Sequence, residues 1–162
     1  KQAEVHGMSQ RGGDVQSNLR ISSSPIASDL IPRGKADLIV SLEPMEALRY
    51  RQWLAPTGWT VTNTAPFVNI PVYPDLDVIM KELAEGGNLI AFDVDEAAKA
   101  QGSPRTANML LLGACAPFIG IHADEIEDAI AEIFGSKGQA VVDMNIKAFR
   151  AGLAKADELR KS

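Results

Sequence analysis

The chain has 162 residues, 46% of them hydrophobic and 23% charged, with a formal net charge of -5 at pH 7. That length and apolar content suit one globular domain burying roughly 70% of its unfolded surface. The acidic balance, with Lys and Arg scattered along the chain, argues against nucleic acid or an anionic membrane as partner. No apolar run reaches transmembrane length and no signal-peptide pattern opens the chain, so a cytoplasmic protein is the default expectation.

Lys1–His6 alternates weakly and predicts a strand. A polar loop follows, in which Gly7, Gly12 and Gly13 surround Met8, Ser9, Gln10 and Arg11. Glycine at that density implies positive φ or close approach of another backbone. With Met8 as its apolar content and many donors, the loop suits a binding surface better than a core. Asp14–Ser22 sets Val15, Ser17, Leu19 and Ile21 on one face and predicts a second strand, joined to the first as a hairpin or wide turn.

Ser22–Lys35 is a connector containing Pro25, Pro32 and Gly34. Ala36–Ser41 is a short apolar run, as expected for a buried strand in a covered sheet. Pro44 fits a first helical turn, and Met45, Leu48 and Gln52 or Trp53 repeat at helical spacing, with Pro56 and Gly58 ending that element. Trp59–Thr64 is rich in β-formers and predicts the next strand. Asn69–Pro74 is irregular. Leu76, Ile79, Met80 and Leu83 mark an amphipathic helix stopped by Gly86-Gly87.

Asn88–Phe92 predicts another strand and Asp93–Gln101 a short helix closed by Gly102. Ser103 caps and Pro104 opens a long helix running to about Phe118. Asp124 with Glu127 resembles a capping box for a further helix. Val142, Ile146, Phe149, Leu153 and Ala156 form one stripe of a final helix. Strands alternating with helices give an α/β class: a three-layer α/β/α sandwich with a mostly parallel sheet, made mixed by the early hairpin. No internal repeat or domain boundary is visible, so residues 1–162 read as a single domain.

The familiar catalytic patterns are missing. No G-x-G-x-x-G, Walker A, G-x-S-x-G or H-E-x-x-H occurs, and the two histidines, His6 and His122, have no obvious nucleophile beside them. The one cysteine, Cys115, lies in an apolar run and reads as a buried thiol acting as a small hydrophobe. Residue rules alone stop at an α/β domain with a polar glycine loop.

The loop itself carries a resemblance. Glu4-Val5-His6-Gly7-Met8-Ser9-Gln10-Arg11-Gly12-Gly13, followed by Ser17-Asn18-Leu19-Arg20-Ile21, resembles the gamma-type domain of 2-oxoacid:ferredoxin oxidoreductases. Its Gly-Met-Ser-Gln-Arg-Gly-Gly form is most similar to the small subunits of the indolepyruvate branch of that family. Ala36-Asp37-Leu38 with Glu43-Pro44-Met45-Glu46-Ala47 resembles the family's strand-then-glutamate turn. Pro56-Thr57-Gly58 with Asn63-Thr64, Asn108–Ala114 and Asn145–Gly152 follow in the family's order, so the likeness covers nearly the whole chain. Family members usually carry a further strand and a glycine loop ahead of the segment that opens here at Lys1. The resemblance therefore implies a gamma-type domain without its first β-α unit, and a longer native protein.

That resemblance also implies a function. The family oxidatively decarboxylates a 2-oxoacid, such as pyruvate or indolepyruvate, to an acyl-CoA. Thiamine diphosphate, iron–sulfur clusters and coenzyme A are expected in the holoenzyme, on a larger partner subunit, with ferredoxin taking the electrons. This chain would bind none of those cofactors alone and would serve assembly and access of substrate or coenzyme A, not catalysis. No metal ligand set is expected in it.

Contact residues are expected at His6, Gly7, Met8, Ser9, Gln10, Arg11, Gly12, Gly13, Arg20 and Asn108. Arg11 either grips a phosphate or carboxylate in bidentate fashion or is a solvated loop charge. Arg20 reads as an anchor for the loop or a partner, and His6 as a hydrogen-bonded histidine at a strand end. His122 reads as a surface residue, and Glu43 and Glu46 as residues favouring a helix N-terminus. Asn108, in an otherwise apolar helix, is expected to be a buried amide that fixes a loop or binds. A different class remains open: a stand-alone α/β module holding an acidic or nucleotide-like ligand on the glycine loop.

Overall fold

A computed structural model describes residues 1–6 and 15–161. Two strands, β1 (Gln2–His6) and β2 (Val15–Leu19), pair antiparallel, with Gln2 opposite Leu19 and His6 opposite Val15. Three more, β3 (Ala36–Ser41), β4 (Leu54–Asn63) and β5 (Asn88–Phe92), form a parallel sheet in the order β3-β4-β5. Antiparallel and parallel pairing thus coexist, in two separate sheets among the described residues.

Parallel neighbours need crossovers. Helix α1 (Pro44–Arg49) and a 3-10 turn (Arg51–Trp53) carry the chain from β3 to β4, and α2 (Leu76–Glu85) carries it from β4 to β5. Four helices complete the chain: α3 (Val94–Ala100), α4 (Ala107–Cys115), α5 (Ala123–Phe134) and α6 (Gln139–Leu159).

The two sheet faces are covered differently. On one, Val61, Ile90 and Phe92 pack against Leu110, Leu111, Ala114 and Ala156 of α4 and α6, and Trp59 stacks on Phe118 at 4.5 Å between ring centroids. On the other, Leu89 packs on Ala47, Ile79 and Leu83 of α1 and α2. Helix α5 adds a satellite core, Ile126 and Ile130 against Phe149. The result is an α/β/α sandwich. Each fully buried side chain, such as Ile90, Leu110 and Phe149, contributes about 1.5–3 kcal/mol of transfer free energy.

Several elements depart from the sequence expectation. The helix expected to reach Trp53 ends at Arg49, and β4 begins at Leu54, so Pro56 and Gly58 lie inside a strand and not between elements. They sit where the β3–β4 register breaks, between the Ala36–Leu54 and Leu38–Trp59 pairs, where a proline costs no ladder bond. Gly58 is required there, because a Cβ would stand 2.8 Å from the Ala36 carbonyl oxygen.

The long helix expected over Pro104–Phe118 is three pieces: a 3-10 turn Pro104–Thr106, α4, and a 3-10 turn Ala116–Phe118. Pro117 lacks the N–H that would continue α4. The capping box of α5 sits two residues earlier than expected: the Glu125 carboxylate accepts from the His122 backbone N–H at 3.2 Å. Glu127 instead takes both ends of the Arg150 guanidinium, tying α5 to α6. That pair holds the Glu127 carboxyl below its usual range, through the hydrogen bond from Arg150.

Asn108 is not the buried amide expected. It lies exposed in the first turn of α4, ahead of the buried Leu110–Leu111 pair. A buried amide does lie in the helix layer, at Asn145 of α6, which donates to the Val141 carbonyl at 2.8 Å and so stays satisfied. Cys115 is buried, and burial pushes its thiol up to about 12.

Candidate functional site at the carboxyl ends of the parallel strands

In open α/β sheets, ligands and partners meet the crevice outside the carboxyl ends of the strands. Here those ends are Ser41, Asn63 and Phe92. The Ser41 hydroxyl donates to the Glu43 carbonyl at 2.7 Å and accepts from the Glu43 N–H at 3.2 Å, turning the chain sharply out of β3. One Glu43 carboxylate oxygen caps α1 by accepting from the Glu46 N–H at 2.8 Å. The other accepts the Tyr73 hydroxyl. Burial, then the bond to Glu43, push the Tyr73 phenol well above its ordinary range, so it stays a donor.

Asn63 is the second fixed point. It is 3% exposed, and its Oδ1 accepts from the Ala65 N–H at 3.1 Å and the Val94 N–H at 3.0 Å. Its Nδ2 donates to Asp95 Oδ2 at 3.0 Å. One amide therefore joins the exit of β4 to the first turn of α3. The Thr64 N–H, donating to the Phe92 carbonyl at 3.0 Å, ties the same exit to β5.

A separate cavity of about 150 Å³ lies between β2 and β3, lined among others by Asn18, Val40, Ser41, Tyr50 and Trp53. Among the described strands, β2 pairs with β1 alone and β3 with β4 alone, so each presents a free edge. Asn18 is 4% exposed; its Oδ1 accepts from the Ile31 N–H at 3.1 Å, and its Nδ2 has no hydrogen-bond partner among the described residues.

Three of the expected contact residues, His6, Arg20 and Asn108, are described, and these three lie on different elements or loops. His6 ends β1, and Gly7, Met8, Ser9, Gln10, Arg11, Gly12 and Gly13 lie outside the described residues. Arg20 follows β2 at the end of the hairpin remote from that loop, roughly 17 Å along a five-residue strand. Its Nη1 donates to the carbonyls of Ser28 at 2.7 Å and Leu30 at 3.3 Å, so it braces the connector. Asn108 and His122 are exposed on the helical layer. Among the described residues no group of three His, Cys, Asp or Glu is placed to hold a metal ion. No helix among them is long and apolar enough to cross a membrane.

Sequence reasoning missed Asn18, Asn63 and Tyr73 as organising residues. Asn63 had a signal: an amide closing a β-branched run just before an irregular, proline-containing stretch. Tyr73 had none, since its partner lies 30 residues away.

Comparison with known proteins fits this arrangement. Residues 1–155 match the family model described as pyruvate ferredoxin/flavodoxin oxidoreductase. Indolepyruvate oxidoreductase subunit IorB of Thermococcus kodakarensis is 36% identical over 96% of this chain and 80% of its own length. The protein of the same name from Methanothermobacter thermautotrophicus is also 36% identical, over 96% of this chain and 82% of its own. Among solved structures, the fold matches a 2-oxoglutarate:ferredoxin oxidoreductase from Magnetococcus marinus, with 2-oxoglutarate, coenzyme A and succinyl-CoA bound. The TM-score is 0.73 at 23% identity, over 99% of this chain and 26% of that one. It also matches the gamma subunit of a keto/oxoacid ferredoxin oxidoreductase from Geobacter sulfurreducens, with a TM-score of 0.66 at 22% identity, over 98% of this chain and 78% of that one. The chain belongs to the pyruvate ferredoxin/flavodoxin oxidoreductase family, and its curated relatives are subunits of indolepyruvate oxidoreductases.

Proposed function

We propose that this chain is the small subunit of an enzyme that oxidises a 2-oxoacid, of the indolepyruvate type, to CO₂ and an acyl-CoA. The substrate C1–C2 bond breaks, a thioester forms with coenzyme A, and the electron pair passes to ferredoxin. The observation that carries this reading is 36% identity to indolepyruvate oxidoreductase subunits over 96% of the chain. The composition supports a division of labour. A cluster needs several thiolates, and this chain has one cysteine, buried and held protonated. The donor set does not fit a cluster. When bound on a companion subunit, thiamine diphosphate supplies the carbanion chemistry.

This chain's own contribution, on the same reading, is contact. The loop Gly7–Gly13 offers backbone N–H groups and the Arg11 guanidinium, a set suited to a phosphate or carboxylate of coenzyme A, or to an acidic patch on the companion. The cavity between β2 and β3 is a poor stand-alone ligand site: about 150 Å³ against the roughly 300–1,000 Å³ of typical ligand pockets. Its two strand edges, free among the described residues, and the unpartnered Asn18 Nδ2 support a different occupant, one further strand completing a gamma-type domain. The test of the functional reading is Arg11→Ala in the complex of this chain with its larger subunit. The expected result is native folding with a KM for coenzyme A, or an assembly constant, weakened at least about tenfold, the loss of one charge-assisted contact. Unchanged KM and assembly would remove the loop from the account.

A further inference from the structure

Between Thr64 and Pro74 the sequence carries no charged residue, although 23% of the chain is charged. Within that segment Phe67, Val68, Ile70 and Val72 stand in solvent, 70%, 63%, 37% and 82% exposed. Summed along the segment they show roughly 400 Å² of apolar surface, within the size range in which exposed apolar surface is often functional. Pro66, Pro71 and Pro74 withhold donors and restrict φ, so the segment joins neither the sheet nor a helix.

Both ends are nevertheless clamped. Ala65 N–H donates to Asn63, Thr64 N–H to the Phe92 carbonyl, and the Tyr73 hydroxyl to Glu43. The segment is thus a strap, stiffened by proline and fixed at its base, that presents four apolar side chains with little ordering entropy left to lose. It leaves the central strand β4 at the sheet end where the chain also turns out of β3, and Leu42, 54% exposed, follows β3 there.

We propose that Phe67–Val72 docks this chain into an uncharged apolar groove of its larger companion subunit. This rests on the small-subunit reading. A second copy is the poorer occupant on two counts. Strap against strap would bury about 800 Å² in total, below the roughly 1,000 Å² a specific interface needs. Two copies each carrying a net charge of -5 also repel. A larger subunit escapes the area limit, because it can add contacts outside the strap.

The test co-expresses the larger subunit with the wild-type chain and with Phe67→Ser/Val72→Ser. Both side chains are solvent-exposed, so the variant keeps the wild-type circular dichroism spectrum and melts within a few degrees of it. The expected result is a stable wild-type complex on size exclusion and a Kd at least tenfold weaker for the variant. A folded variant that assembles with unchanged Kd overturns the strap proposal while leaving the small-subunit reading intact. A wild-type chain that never associates overturns that reading, and the strap with it. Concentration-dependent dimers of the chain alone, lost in the variant, would identify a second copy as the occupant and overturn the proposal.

Discussion

Gly113 of α4 and Gly152 of α6 each press against the other helix's backbone. A Cβ on Gly113 would fall 1.9 Å from the Phe149 carbonyl oxygen, and one on Gly152 would fall 1.8 Å from the Leu110 carbonyl oxygen. Neither clash can be relieved by turning a side chain, because both partners are backbone. The crossing lets α4 lie against α6 while Leu110, Leu111 and Ala114 stay packed on β4 and β5. Gly113→Ala and Gly152→Ala are each expected to cost about 3 kcal/mol, near the top of the overpacking range. Urea denaturation of the single and double variants checks this. The double variant is expected to lose less than the sum, because the first Cβ already parts the helices for the second.

Asn63 stands between the fold and the candidate site. Asn63→Ala leaves the Val94 and Ala65 N–H groups and Asp95 without their partner, and about 2–4 kcal/mol of stability is expected to go. Asn63→Asp keeps an acceptor for both N–H groups but sets a second carboxylate against Asp95. That variant is expected to lose stability at pH 7 and to regain part of it as the pH falls below about 5, where the pair shares a proton. Melting curves at pH 7 and pH 4.5 distinguish the two substitutions.

Cys115 gives a prediction of the same pH sense, at alkaline pH. Its thiol moves from an ordinary 9.0 up to about 12 in the folded chain, through burial. Between those values the unfolded chain gives up the proton and the folded chain keeps it, so folding stability from this group is complete below pH 9 and is lost as pH rises towards 12. Cys115→Ala should cost about 1 kcal/mol at neutral pH through the cavity it leaves. It should also flatten the stability loss between pH 9 and 11 relative to wild type. Iodoacetamide is expected to label the native thiol at pH 8 far more slowly than the unfolded one.

The parallel sheet was legible because apolar runs bounded by turn residues are its signature. Ala36–Ser41 and Asn88–Phe92 appear with the boundaries read from sequence. Pro56 and Gly58 misled, because the register break that accommodates them in β4 depends on β3, which local sequence does not report. Asn108 misled for a related reason: its apolar neighbours are local, whereas its exposure depends on how α4 sits against the rest of the fold. The α5 cap was displaced because Glu127 answers to Arg150, 23 residues away. At the site, the resemblance identified the family through the glycine loop. The scaffold around the strand ends, Asn63 with Val94 and Asp95 and Tyr73 with Glu43, consists of pairings some 30 residues apart that no spacing rule encodes.

On the proposed function, this chain enables a 2-oxoacid oxidoreductase without performing its chemistry. That role is tested most directly by coenzyme A-dependent reduction of ferredoxin with indolepyruvate, measured for the chain alone, for the larger subunit alone and for the reconstituted pair. No turnover is expected from this chain, little from the larger subunit, and full turnover when the two are combined. Turnover by the chain alone, or a larger subunit equally active without it, would contradict that role.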